Sequence, residues 1–85
     1  MIVSFTKQAD ADIEFFKRSG NKQIVKKIKE LLQSIVDNPY KGIGQPEPLK
    51  HDLSGAWSRR INKEHRLVYE VEGEIVYILS LKGHY

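Results

Sequence analysis

The chain has 85 residues and no cysteine, so it can hold one small domain, and neither disulfides nor thiolate metal sites are available to stabilise it. Its 14 Lys+Arg against 11 Asp+Glu give a net charge of +3 and a pI near 9.2, a lean toward anionic partners that does not by itself specify nucleic acid. No apolar run reaches the roughly 20 residues that span a bilayer, and the start, Met1-Ile2-Val3-Ser4-Phe5, lacks the basic region and cleavage site of a signal peptide, so a cytoplasmic protein with no membrane partner is expected.

Residues 3–5 alternate and are β-prone, and Thr6 offers a hydroxyl that can cap a helix. In that helix Ala9, Ile13 and Phe16 recur on one face while Asp10, Asp12, Glu14 and Lys17 point elsewhere, and Ser19-Gly20 supplies a stop. Asn21 can cap a second helix. Its apolar stripe, Ile24, Val25, Ile28, Leu31, Leu32, Ile35 and Val36, ends at Asn38-Pro39, and Lys22, Lys26, Lys27 and Lys29 form an outer face that is either simply solvated or turned to phosphate. From Pro39 to Pro48 two glycines and three prolines in ten positions predict a loop of defined shape. Four β-like runs follow at 49–53, 56–61, 65–71 and 74–81, joined by turns too short for crossovers, so they should be antiparallel neighbours. The expected fold is α+β: two N-terminal helices packed on one face of a small antiparallel sheet, with the first strand joining it.

Strand parity then sorts the side chains. With Leu67, Tyr69 and Val71 toward the helices, Arg66, Val68 and Glu70 point to the other face. If Leu79 and Leu81 face the helices, Ser80, Lys82 and His84 share the face of Arg66, provided no bulge shifts the register. Glu47 stands between Pro46 and Pro48, which fix the backbone on both sides and restrict Glu47 to extended conformations.

A positioned carboxylate, a guanidinium and an imidazole on a basic surface are what metal-free RNA cleavage needs. A carboxylate such as Glu47 can take the 2′-OH proton as that oxygen attacks phosphorus. An arginine such as Arg66 can hold two phosphorane oxygens without deprotonating. An imidazolium such as His84 can protonate the departing 5′-oxygen. DNA has no 2′-OH and should be inert. Other constellations are weaker. His51, His65 and His84 are widely spaced for metal ligation, and His65 falls on the core face, where a buried or edge histidine is its natural reading. A His51/His84 acid/base pair would move the base away from Glu47. Trp57 and Tyr69 could stack on bases but sit at strand positions that fit a core, and Lys50, Arg59 and Arg60 could bind phosphate or keep the surface soluble.

Several stretches, Ile24-Val25-Lys26-Lys27-Ile28, Pro46-Glu47-Pro48-Leu49-Lys50-His51-Asp52-Leu53-Ser54-Gly55, Trp57-Ser58-Arg59-Arg60-Ile61, Glu64-His65-Arg66-Leu67-Val68-Tyr69 and the closing Gly83-His84-Tyr85, closely resemble the YoeB (Txe) toxins of the RelE superfamily, nearly end to end. The resemblance implies a RelE-like fold and a type II toxin: an endoribonuclease that cuts mRNA in the ribosomal A site, leaving a 2′,3′-cyclic phosphate and a 5′-hydroxyl, with no metal or organic cofactor. By motif, Glu47 would be the general base, Arg66 the phosphate clamp and His84 the general acid. Tyr85 would position substrate or His84, and Lys50, Arg59 and Arg60 would support RNA binding. The implied partners are mRNA, the ribosome and a YefM-type antitoxin, with operator DNA reached only through the toxin–antitoxin complex; a homodimer is compatible with the sequence. A non-catalytic binding module, acting through the antitoxin or on a protein target, and an RNase that needs no ribosome are the competing readings.

Overall fold

In a computed structural model that describes residues 1–83, the chain runs β1 (Ile2–Phe5), α1 (Lys7–Arg18), α2 (Lys22–Asp37), β2 (Glu47–Pro48), a single 3₁₀ turn (His51–Leu53), β3 (Trp57–Arg60), β4 (Arg66–Glu72) and β5 (Ile75–Ser80). Both helices begin where the sequence places their caps. The Thr6 hydroxyl accepts from the Ala9 amide at 3.1 Å and the Asn21 side chain accepts from Ile24 at 3.2 Å, each satisfying an amide that has no partner within its helix. The helices form one layer on a five-stranded sheet ordered β1-β5-β4-β3-β2. Ala9 and Phe16 of α1 and Ile24, Ile28, Leu31 and Ile35 of α2 bury against Leu67, Tyr69, Val76 and Ile78 of the sheet and Leu81 beyond its last strand.

The four later strands are antiparallel as expected, but β1 lies parallel to β5, with Ile2 opposite Ile75 and Phe5 opposite Ile78, so the sheet is mixed. Turn length could not reveal this direction. β1 is separated from its partner by nearly the whole chain, and only short turns force neighbours to run antiparallel. The expected strand at 49–53 is a second departure. Only Glu47 and Pro48 pair with β3, after which His51, at φ +61°, turns the chain into the 3₁₀ helix.

A bulge lies between β4 and β5. Val68 faces Ser80 and Tyr69 faces Ile78, which leaves Leu79 as the extra residue. The expectation that Leu79 faces the helices is therefore corrected: Val76 and Ile78 are the core residues of β5, and the shift returns Leu81 to the core, fully buried. Lys82 also departs from its expected place, because its Nζ sits 3.9 Å from the centre of the Phe15 ring on α1.

Candidate active site

Glu47 is carried on the edge strand β2, where Pro46 and Pro48 hold it extended and the ladder sets it opposite Ser58 of β3. Ser58 in turn faces Val68 of β4, and the next pair on the same face is Arg60 with Arg66. This register brings Glu47, Ser58, Arg60 and Arg66 onto the side of the sheet turned away from the helices, as parity required for Arg66. Arg66 Nη2 lies 3.4 Å from Glu47 Oε1, and its Nε donates to the Ser58 hydroxyl at 3.3 Å. Both contacts are longer than the ~2.7–2.9 Å of a tight charge-assisted bond. The guanidinium is thus oriented and mostly covered, with its side chain 15% exposed, yet held loosely enough to exchange a partner for an anion. The Glu47 side chain is 56% exposed and open to a ligand.

Sequence reasoning missed Ser58, the residue that orients Arg66. Its signal was available: β3 parity places Ser58 on the face opposite Trp57 and Arg59, and its pairing with Val68 puts it beside Arg66.

Arg59, which the resemblance groups with the RNA-binding cations, does not face solvent. It stands opposite Leu67 on the core face, is fully buried, and uses all five of its N–H donors internally. Nε donates to the Tyr69 hydroxyl at 3.1 Å, Nη1 to Ser34 Oγ at 2.6 Å and the Ile43 carbonyl at 3.2 Å, and Nη2 to the carbonyls of Asn38 at 2.7 Å and Lys41 at 3.1 Å. Its guanidinium is the post around which residues 38–43 are wound, and it explains why the glycine- and proline-rich loop has one shape. Gly42 and Gly44 let that loop close: a Cβ at Gly42 would collide with Ser34 Oγ, and one at Gly44 would come within 2.6 Å of Leu31 Cδ2. Tyr69 donates to the Pro39 carbonyl at 2.6 Å, and burial raises its phenol pKa against the opposing pull of Arg59. Trp57 is half-buried against the core and stacks at a tilt on Tyr40, with ring centres 5.1 Å apart, so Trp57 and Tyr69 both pack inward.

Arg60 and Lys50 are exposed near the Glu47–Arg66 pair in the chain, Arg60 opposite Arg66 and Lys50 two residues beyond β2. His51 is exposed on the 3₁₀ turn, and among the described residues no cluster of three His, Asp or Glu side chains could hold a metal. Lys22, Lys26 and Lys29 of α2 rim a depression of about 420 Å³ whose lining includes Phe16 and Val25; among the described residues it has no carboxylate or imidazole, and it lies on the helix layer.

His84 and Tyr85 lie outside the described residues. The chain leading to them is held in place. The Arg66 amide donates to the Gly83 carbonyl at 2.8 Å, and the Gly83 amide donates to His65 Nδ1 at 2.9 Å. His65 is the edge histidine expected, its ring set edge-on against Phe16 at 5.0 Å. Asp12, expected on the outer face of α1, is instead 3% exposed; its Oδ2 accepts from the amides of Leu81 at 2.8 Å and Lys82 at 3.2 Å, and Gln8 donates to its Oδ1 at 2.8 Å. Helical spacing accounts for this burial, since Asp12 lies three residues after Ala9 and four before Phe16, on the apolar stripe itself.

The sequence model for the YoeB-like toxin of bacterial type II toxin-antitoxin systems matches residues 5–85. The toxin YoeB of Synechocystis is 45% identical over 85 residues, covering 100% of this chain and 98% of that protein. A YoeB/ParE toxin from Agrobacterium tumefaciens superposes with a TM-score of 0.95 at 39% identity, over the full length of both chains. YoeB of Staphylococcus aureus superposes with a TM-score of 0.91 as a dimer, at 49% identity over 100% of this chain and 98% of that one, and with 0.89 in a YoeB–YefM complex, at 50% identity and the same coverage.

Proposed function

The chain belongs to the YoeB-like toxins of bacterial type II toxin-antitoxin systems, and from that premise we propose that it is a metal-independent endoribonuclease that cleaves mRNA in the ribosomal A site. The observation that carries the reading is the Glu47–Arg66 pair: a base and a cation on one face, 3.4 Å apart, at the point where the Arg66 amide also holds Gly83, the residue before His84.

Glu47 takes the proton from the 2′-OH as its oxygen attacks the adjacent phosphorus. Arg66 turns its guanidinium from Glu47 to the scissile phosphate and holds the charge that builds on the phosphorane oxygens. His84 gives its proton to the departing 5′-oxygen, leaving a 2′,3′-cyclic phosphate and a 5′-hydroxyl, and Tyr85 positions His84 or the substrate. Each proton transfer contributes about 10²- to 10⁴-fold and the clamp about 10²-fold or more. Lys50 and Arg60 are exposed cations that can meet flanking phosphates, an electrostatic contribution that salt weakens.

The reading carries partners with it. A YefM-type antitoxin, the companion of the staphylococcal relative, neutralises the toxin, and the pair binds operator DNA through the antitoxin. The toxin can pair with a second copy, as the staphylococcal dimer does. Ribosome and message as substrates put the active protein in the cytoplasm.

The deciding experiment is primer extension on ribosome-bound message with wild type, Glu47→Gln and His84→Gln. Cleavage at the A-site codon by wild type, lost in both folded variants, is the expected result. Full cleavage by both variants rejects the acid/base assignment, and wild-type cleavage of naked RNA at an equal rate rejects the ribosome requirement.

A further inference from the structure

We propose that Asp12 is a positioning residue for the general acid: it fixes the segment that delivers His84, an inference that rests on the reading of His84 given above. The regular ladder of β5 ends at Ser80, and the next three amides are taken up by side chains outside the ladder. Asp12 accepts from Leu81 and Lys82, and His65 accepts from Gly83. Both acceptors are braced by α1. Gln8 donates to the second oxygen of Asp12 from one turn earlier, and Phe16 packs on the His65 ring. Phe15 adds a third contact by receiving the Lys82 ammonium on its face. The stretch 12–16 of α1 therefore holds Leu81 and Lys82 directly, and Gly83 through the His65 ring on which Phe16 packs.

The chemistry of Asp12 argues for more than packing. Burying a carboxylate to 3% exposure is costly, and an apolar residue at this place on the stripe of α1 would serve the core without that cost. What an apolar residue cannot do is accept two successive backbone N–H groups and so fix the direction in which the chain leaves the sheet. Two amides bonded to one oxygen set the orientation of both peptide planes, which lie one and two residues before Gly83. Gly83 itself has φ +87° with open space around its α-carbon, so backbone conformation, and not contact, is what glycine supplies there. The residue read as the proton donor follows two positions after Lys82 in sequence, and misplacement of a reacting group by about 1 Å costs as much as 10²-fold in rate.

The test exploits the leaving group. A message with sulfur in place of the 5′-bridging oxygen at the scissile bond expels a thiolate, which departs without a proton, so loss or misplacement of the acid no longer matters. Asp12→Leu roughly keeps the size of the side chain and removes both acceptor oxygens, whereas an asparagine would retain one that can still receive both amides. On ordinary ribosome-bound message it is expected to cleave roughly 10- to 100-fold more slowly than wild type at saturating ribosomes, with the KM for ribosomes unchanged. On the sulfur-substituted message it should return to within a few-fold of wild type, as should His84→Gln. Equal slowing on both messages means a structural role only and overturns the proposal, as does wild-type activity of Asp12→Leu on ordinary message. Should Asp12→Leu show no cooperative thermal unfolding, Gln8→Ala, which removes only the brace, is judged by the same two messages. If wild type fails to cleave, or His84→Gln cleaves ordinary message at the wild-type rate, the catalytic reading itself falls and the proposal with it. If His84→Gln is slow and rescued while Asp12→Leu is not, the reading stands and the proposal alone fails.

Discussion

Arg59 and Arg66 lie on adjacent paired strands and point to opposite faces of the sheet. Arg59 stands opposite Leu67 beneath the helices with every donor used, whereas Arg66 stands opposite Arg60 with Ser58 and Glu47 as loose partners. The same side chain is thus a structural post in one place and an available cation in the other, and the two should separate cleanly in mutagenesis. Arg59→Lys replaces a five-donor fork by a point charge and leaves buried carbonyls unpaired, so it should cost about 2–4 kcal/mol in urea denaturation. Arg66→Lys should stay within about 1 kcal/mol of wild-type stability while slowing cleavage about 10²-fold or more.

Glu47→Gln should show the same separation on the base. The Glu47 side chain is 56% exposed and its contact to Arg66 is long, so thermal unfolding should stay within about 0.5 kcal/mol of wild type. Cleavage of ribosome-bound message in single-turnover assays should fall about 10²- to 10⁴-fold.

The loop that wraps Arg59 should be intolerant of Cβ atoms where the chain passes closest to the core. Gly44 has φ +83° and an added methyl would meet Leu31 and the Arg60 carbonyl, so Gly44→Ala should lose about 2–4 kcal/mol. Gly73, at φ +59° in the β4–β5 turn, has open space around it, and Gly73→Ala should lose only about 1 kcal/mol. Melting temperatures of the two variants distinguish steric crowding from backbone conformation alone.

Alkaline pH supplies a test of the buried phenol. Burial, opposed by Arg59, raises the Tyr69 pKa above 10.0, so the folded state keeps a proton that the unfolded chain gives up. The stabilisation is fully present below the unfolded pKa and is lost as pH rises through the folded one, because the unfolded state then binds fewer protons. Urea midpoints should therefore fall as pH rises above 10.0, and Tyr69→Phe, though less stable at pH 7, should show a shallower fall.

Much of this fold could be read from residues. Thr6 and Asn21 marked the helix starts through cap chemistry, and the parity of β4 put Arg66 on the face where it meets Glu47. What escaped depended on partners far away in the chain. The direction of β1 is decided by β5, and Leu79 is displaced by a bulge that no local pattern encodes. Arg59 shares the strand parity of Trp57, but a guanidinium is normally solvated. Its burial is made tolerable by carbonyls of a loop 16 to 21 residues earlier in sequence. Asp12 is different: helical spacing already sets it on the apolar stripe of α1, and only its partners, the amides of Leu81 and Lys82, lie far away in the chain.

The parallel pairing of β1 with β5 also governs timing. The first strand to leave the ribosome has no partner until the last strand follows it, and Asp12 waits equally for Leu81 and Lys82. Contacts of such long sequence separation form late. A nascent chain can assemble its helices, but it cannot complete the sheet or fix the approach to its final residues. The Arg66–Gly83 contact beside Glu47 therefore belongs to the last part of the described fold to assemble.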